Sequence, residues 1–219
     1  MIRYVIFAVA FFVECAVAAP LSAVMTFESM TITSEGVKKQ TQFQEKFIRD
    51  NNTIWSERII PTSTKHHAHS DHEGHGHDLN FATAAKWIVR DSASQIKFRF
   101  VRSNDKKIIE PRVTEYETLG FNGDWESAYY LLNRDALKNM TVLKQQSPNG
   151  ATWYEKKNAL EFTRVLWDEA NQLPLSIETG RLDGTMDNKI TIAINSAPKT
   201  LPWNQIAQYQ TIAYEDLLD

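Results

Sequence analysis

Residues 24–33 alternate with a period of two. Val24, Thr26, Glu28, Met30 and Ile32 fall on one face and Met25, Phe27, Ser29 and Thr31 on the other, which is the signature of a strand. Glu35-Gly36 then turns the chain into 37-VKKQTQFQEKFIRD-50, and Asp50-Asn51-Asn52 turns it again into 53-TIWSERIIP-61. Comparable runs follow at 95-QIKFRFVRS-103, 112-RVTEYETLGF-121, 125-WESAYYLLN-133, 151-ATWYEKK-157, 160-LEFTRVLWD-168, 173-LPLSIETGRL-182 and 188-NKITIAIN-195. Between them stand Asn104-Asp105, Asn122-Gly123, Pro148-Asn149-Gly150, Asn171 and Asp183-Gly184. Asn-Gly and Asp-Gly tolerate the positive φ of tight hairpin turns, so the strands are expected to run antiparallel in succession. This spacing predicts a meandering sheet, curved or partly closed.

Helical spacing is strongest at 78-DLNFATAAKWIVRD-91. It sets Phe81, Ala84, Ala85 and Ile88 along one side and Leu79, Ala82 and Lys86 along another, with Asp78 or Asn80 to cap the first turn. A shorter helix is expected at 133-NRDALKNM-140, capped by Asn133. The tail, 202–219, carries Trp203, Ile206, Tyr209, Ile212 and Tyr214 and is too apolar for a solvated linker. The expected fold class is therefore α+β: a curved antiparallel β-sheet, a half-barrel, wrapped around one principal helix. No internal repeat or linker divides the chain, so residues 19–219 read as a single domain.

Residues 1–18 read as a secretory signal peptide: a basic start at Met1-Ile2-Arg3, an apolar run from Tyr4 to Val13, and the small-residue site 16-AVA-18. The run is shorter than the roughly 20 apolar residues a membrane span needs. Cleavage after Ala18 is the first reading and after Ala23 the second; a buried N-terminal strand or helix is the alternative to a signal. Export to the periplasm is the expected location. The single cysteine, Cys15, falls inside the segment to be removed, so the mature chain would hold no thiol or disulfide and would depend on its core. With 24 Lys and Arg against 27 Asp and Glu, interleaved along the chain, no basic patch for nucleic acid is present.

Chemistry concentrates in one place. All six histidines lie in 66-HHAHSDHEGHGH-77, a histidine-rich loop over 66–78. The candidate metal ligands are His66, His67, His69, Asp71, His72, Glu73, His75, His77 and Asp78. Imidazole with carboxylate suits zinc, copper or nickel and suits calcium and magnesium poorly, so a divalent transition metal is the candidate cofactor. Gly74 and Gly76 oppose a long helix through the cluster. Two readings stay open: a selected metal site, or an exposed polar loop that takes metal only when it is offered. Because the stretch adjoins 79–90, metal capture is expected to reposition that segment.

Catalysis finds little support. His72-Glu73-Gly74-His75 has one residue between Glu and the second His where the zinc-protease helix needs two, and that residue is glycine. No nucleophile elbow, phosphate-binding loop or dinucleotide fingerprint occurs, and a histidine-based triad is unavailable outside the loop. The pairs Glu115/Glu117 and Asp183/Asp187 read as solvent-facing charges. The aromatic residues read first as core and second as the lining of a cavity between sheet and helix. In that second reading Phe81, Trp87 and Ile88 form the inner face of a lid, and Phe98, Phe100 and Trp55 line the hollow beneath it.

A signal peptide, consecutive long strands, a helix after the third strand and further meandering strands resemble the periplasmic lipoprotein-carrier family, the LolA/LolB type with the lipid-sensing domain of the RseB type. The most suggestive segment is 164-RVLWDEANQLPLSIETGRLDGTMDNKITI-192, an apolar-aromatic strand, an acidic turn and a Leu-Pro-led strand. The resemblance spans most of residues 24–195 and implies a half-barrel with a helical lid over an apolar cavity that shelters acyl chains. Some carriers of that family use a buried arginine; Arg49 and Arg58 lie on the second and third strands, and the pattern singles out neither. The histidine insertion departs from the family pattern. The expectation is a non-enzymatic periplasmic binding or carrier protein for a lipid-like ligand or lipoprotein acyl chain. Its partners would be a hydrophobic or lipid-like ligand or a lipoprotein, with a membrane-associated protein as a further candidate. The alternative is a periplasmic transition-metal chaperone or buffer.

Overall fold

The computed structural model describes residues 19–61, 83–148 and 150–217. Its strands are β1 (Leu21–Ile32), β2 (Lys38–Asp50), β3 (Thr53–Ile59), β4 (Ala85–Arg90), β5 (Ile96–Arg102) and β6 (Lys107–Glu110), then β7 (Thr141–Val142), β8 (Ala151–Lys157), β9 (Glu161–Asp168), β10 (Leu173–Arg181), β11 (Met186–Asn195) and β12 (Gln210–Ala213). They form one open, curved sheet in the order β12-β6-β5-β4-β3-β2-β1-β11-β10-β9-β8-β7. Every neighbouring pair is antiparallel except β12 with β6, which is parallel. The one α-helix among the described residues, α1, is short and spans Trp125–Tyr130.

The antiparallel expectation holds, and the runs at 151–157, 160–168, 173–182 and 188–195 fall on β8, β9, β10 and β11. The principal helix does not. Residues 85–90 are strand β4, paired to β3 on one side and β5 on the other; residues 78–82 of that expectation, Phe81 included, lie outside the described residues. The reason is visible in Trp87-Ile88-Val89, an aromatic and two β-branched side chains that fit a pleated surface with both faces covered. The alanines that favour a helix are overridden because β4 completes the ladder between β3 and β5. Residues 85–90 are thus fixed in the sheet rather than carried on a movable lid.

Two other runs read as strands are not strands. Residues 112–121 contain a 3-10 turn at Val113–Glu115, whose start is closed by the Arg112 amide donating to Glu115 Oε2 at 2.7 Å. Residues 125–133 begin with α1: the Asp124 carboxylate accepts from the Ser127 amide at 3.3 Å and from its hydroxyl at 2.6 Å. Leu131, in left-handed conformation at φ 60°, ends that helix. The helix expected at 133–140 is a 3-10 helix over Arg134–Asn139, with Asn133 as its cap as read from the sequence.

Both faces of the sheet are covered over β2–β6. On one, Ala23, Met25, Phe47, Ile54, Ile88, Phe98, Phe100, Ile109 and Ile192 pack beneath Tyr116, Phe121 and Trp125 of the 113–131 segment. On the other, Ile48, Trp55, Ala85, Val101 and Ile108 pack beneath Ile206, with Trp87, Leu201, Trp203 and Tyr209 at the margin. The tail makes this second cover, then adds β12 beside β6, and returns Tyr214 and Leu217 to the first core. Burying a side chain such as Phe47, Phe98 or Phe100 contributes roughly 2–3 kcal/mol, and these three are 0–1% exposed.

Candidate functional site

Alternation along β1–β5 decides which side chains meet the 113–131 cover. Met25, Phe47, Ile54, Ile88 and Phe98 project from successive strands toward it. Between them and the cover runs a cleft of about 460 Å³, closed on the far side by Phe121, Ala128 and Leu131. That volume lies within the range of roughly 300–1,000 Å³ typical of ligand pockets. Polar side chains border it at Ser56, Lys86, Glu117, Asn122, Asp124 and Ser127. A second cavity of about 490 Å³ is bordered by Glu45, Ser56, Arg58, Ala84, Lys86, Phe100, Thr118, Leu119 and Gly120. The two share Ser56, Lys86 and Gly120.

The cover is held by specific bonds. Gly120, at φ 84°, lets the chain reverse after the 3-10 turn, and the Phe121 amide donates back to Tyr116 O at 2.8 Å. The Tyr116 hydroxyl in turn accepts from the Phe98 amide at 3.1 Å. The Phe98 ring meets Tyr116 edge-on at 5.5 Å and Phe121 at 5.2 Å, so this end of the cleft is filled by aromatic packing.

Arg49 anchors the helix end of the cover. It is 7% exposed and donates to three backbone carbonyls: Tyr129 O at 2.6 Å, Gln172 O at 3.2 Å, and Asn171 O. Its guanidinium also lies 4.7 Å from the Tyr129 ring and 5.1 Å from the Tyr130 ring. Burial pushes the Arg49 pKa below its ordinary value, and burial pushes that of Tyr129 up. Two further arginines stack on α1 aromatics, Arg90 on Trp125 at 4.6 Å and Arg134 on Tyr130 at 3.8 Å. The turn that presents the Asn171 and Gln172 carbonyls is set by Asp168, whose carboxylate accepts from the amides of Ala170 and Asn171 at 2.9 and 3.2 Å.

Of the side chains expected to line a hollow, Ile88 and Phe98 border the cleft and Phe100 borders the adjoining cavity. Trp55 and Trp87 belong to the opposite face of the sheet, because β4 places Trp87 and Ile88 on alternate sides and Trp55 stands across from Trp87. Phe81 lies outside the described residues, as do His66, His67, His69, Asp71, His72, Glu73, His75, His77 and Asp78. Among the described residues no three His, Cys, Asp or Glu side chains gather as a metal site. The sequence reading missed Met25, Phe47, Ile54, Phe121, Ala128 and Leu131. Met25 and Phe47 were legible as one face of an alternating strand; the cover residues were hidden by the reading of 112–133 as strands.

No protein-family model matches the chain, and no curated protein does. The solved structures similar to it include a lipoprotein-sorting domain. This is a domain from Vibrio parahaemolyticus, provisionally named an outer membrane lipoprotein-sorting protein, at 11% identity and TM-score 0.35, with 85% of this chain and 89% of that one covered. An uncharacterized conserved protein from Thermus thermophilus shares 8% identity at TM-score 0.41, with 89% and 90% covered. A DUF1329 family protein from Desulfovibrio piger shares 9% at TM-score 0.23, with 83% and 87% covered. All three are distant likenesses of fold, and the cleft is read from this chain's own residues.

Proposed function

We propose that the protein is a non-enzymatic periplasmic binding or carrier protein that shelters an apolar, lipid-like chain in the cleft between the sheet and the 113–131 cover. The observation that carries this reading is the cleft itself. Five apolar side chains from five successive strands, Met25, Phe47, Ile54, Ile88 and Phe98, face Phe121, Ala128 and Leu131 across about 460 Å³ of open volume. An apolar chain laid there removes hydrocarbon from water on both sides at about 25 cal/mol per Å². The sequence resemblance to lipoprotein carriers agrees with it, and the signal-peptide pattern of residues 1–18 supports an exported location.

The test fills the cleft from its cover. Ala128 is small and lies on α1, so Ala128→Trp occupies the open volume without removing a core side chain. Purified wild-type protein is expected to carry co-purified lipid in native mass spectrometry and to enhance the fluorescence of N-phenyl-1-naphthylamine, a neutral apolar probe. The variant is expected to lose the lipid and to bind the probe at least tenfold more weakly, with unchanged far-UV circular dichroism. Equal probe binding by the two proteins would reject the cleft as the site.

A further inference from the structure

The apolar cleft has a polar end, and the strand register says where it begins. Along one face of β3 the residues run Ile54, Ser56, Arg58; along the same face of β4 they run Ile88, Lys86. Ile54 pairs across from Ile88 and Ser56 from Lys86, so both strands pass from hydrocarbon to hydrogen-bonding groups at the same level. Ser56 and Lys86 border both cavities and therefore stand at the boundary between them.

Resting on the reading of the cleft as an apolar-chain site, we propose that its ligand is an amphiphile with one anionic group, a carboxylate or a phosphate. That group sits against Lys86 and Ser56, and the chain lies over Ile54, Ile88 and Phe98. Lys86 is half-buried and makes no ion pair with any described residue. Drawing an ammonium out of water beside hydrocarbon is unfavourable unless an anion meets it. A neutral chain would bury Lys86 further without compensation, and a cationic one would add repulsion.

The carboxylates nearby are engaged or exposed. Glu45 faces Arg58 at 3.9 Å, and the Arg58 guanidinium itself lies over the Phe43 ring at 3.3 Å. Asp124 accepts from the amide and hydroxyl of Ser127 and from Asn133 Nδ2. Glu117 is exposed on the cover. Arg58 stands one step beyond Ser56 on the same face of β3, where Glu45 offsets its charge and leaves Lys86 to meet the head group.

The experiment compares heads on one chain length, using the full mature protein and displacement of N-phenyl-1-naphthylamine by dodecanoate, dodecyl phosphate, dodecanol and dodecyltrimethylammonium. A charge-assisted hydrogen bond supports a preference of about tenfold or more, so one or both anions should displace the probe at least tenfold more tightly than dodecanol, with the cation weakest. The stronger anion identifies the head group. Lys86→Gln is expected to close the gap between the anions and dodecanol, with the anions weakened and dodecanol bound as tightly as before or more so, and Lys86→Arg to keep the preference. Ser56→Ala provides a second variant, expected to lower the preference severalfold. Equal displacement by all four heads, or a preference that survives Lys86→Gln, would overturn the assignment of the ligand class while leaving the cleft intact. Failure of the probe and all four compounds to bind would remove the cleft reading itself.

Discussion

The Arg49 guanidinium donates to the Tyr129 carbonyl, 2.6 Å away, and so ties the end of β2 to the last turn of α1. Its other two acceptors, the carbonyls of Asn171 and Gln172, belong to the β9–β10 turn. One planar fork thus ties β2 to two segments that lie 80 and 122–123 residues further along the chain. Truncation leaves three carbonyls without their donor, so Arg49→Met is expected to destabilise by about 3 kcal/mol in urea denaturation. Arg49→Lys should lose a large part of the same stability, because an ammonium cannot reproduce the fork. Hydrogen exchange should rise first at residues 125–131. A Met variant as stable as wild type, with that segment still protected, would show that Arg49 does not hold the cover.

Gly180 lies inside β10, where a glycine weakens a strand unless something needs the space. A Cβ there would come within 2.8 Å of Phe162 Cε1 and 2.9 Å of Met186 O. Phe162 is the cross-strand partner of Gly180, and its ring occupies the room that a side chain would take. The Met186 carbonyl is backbone and cannot swing away. Gly180→Ala is therefore expected to cost about 1–3 kcal/mol, read as a lowered denaturation midpoint with unchanged slope. Gly180→Ala with Phe162→Leu relieves only the ring contact and should recover part of that loss.

The antiparallel sheet was legible because alternation and hairpin turns are local signals: β8 to β11 stand where Trp153, Phe162, Val165, Ile177 and Ile192 place them. The cover was not legible for a similar reason. Asn122-Gly123 suggests a hairpin, yet here it precedes Asp124, whose carboxylate takes the Ser127 amide and starts α1. Trp125, Ala128 and Tyr129 at helical spacing were the available sign. Within the helix expected at 78–91, the error at 85–90 ran the other way. Alanine-rich composition favours a helix in isolation, but Trp87, Ile88 and Val89 are claimed by β5, the next strand, and by β3, which lies well upstream across residues 60–84. Among the described residues that reversal moves one expected lining residue: with β4 a strand, Trp87 and Ile88 go to opposite faces, and only Ile88 reaches the cleft.

The histidine stretch supports a prediction from composition alone. Six imidazoles with Asp71, Glu73 and Asp78 in one short segment offer more nitrogen and oxygen donors than a zinc or nickel ion needs. The full chain is expected to bind Zn²⁺ or Ni²⁺ in isothermal titration calorimetry near pH 7.5. Binding should fade toward about pH 5, because imidazoles with an ordinary pKa of about 6.5 protonate and cease to be ligands. Deleting 66–77 should abolish the heat and leave probe binding in the cleft unchanged. Undiminished metal binding by the deleted protein would place the metal elsewhere.

Asp124 supplies the pH dependence. The Ser127 hydroxyl and amide hydrogen-bond its carboxylate and hold its pKa below the ordinary value of 3.8. The folded protein therefore binds this proton more weakly than the unfolded chain does, so the stabilisation is complete above the ordinary value and is lost as pH falls through the lowered one. Asp124→Ala removes the cap and is expected to cost about 1 kcal/mol at neutral pH. Asp124→Asn should keep much of the cap without the titration. Denaturation measured from pH 7 down to about pH 2 should show the gap between wild type and Asp124→Ala constant near neutrality and narrowing below about pH 4. A gap that widens in acid would mean that the carboxylate is stabilised in its protonated form, contrary to the bonds that α1 makes to it.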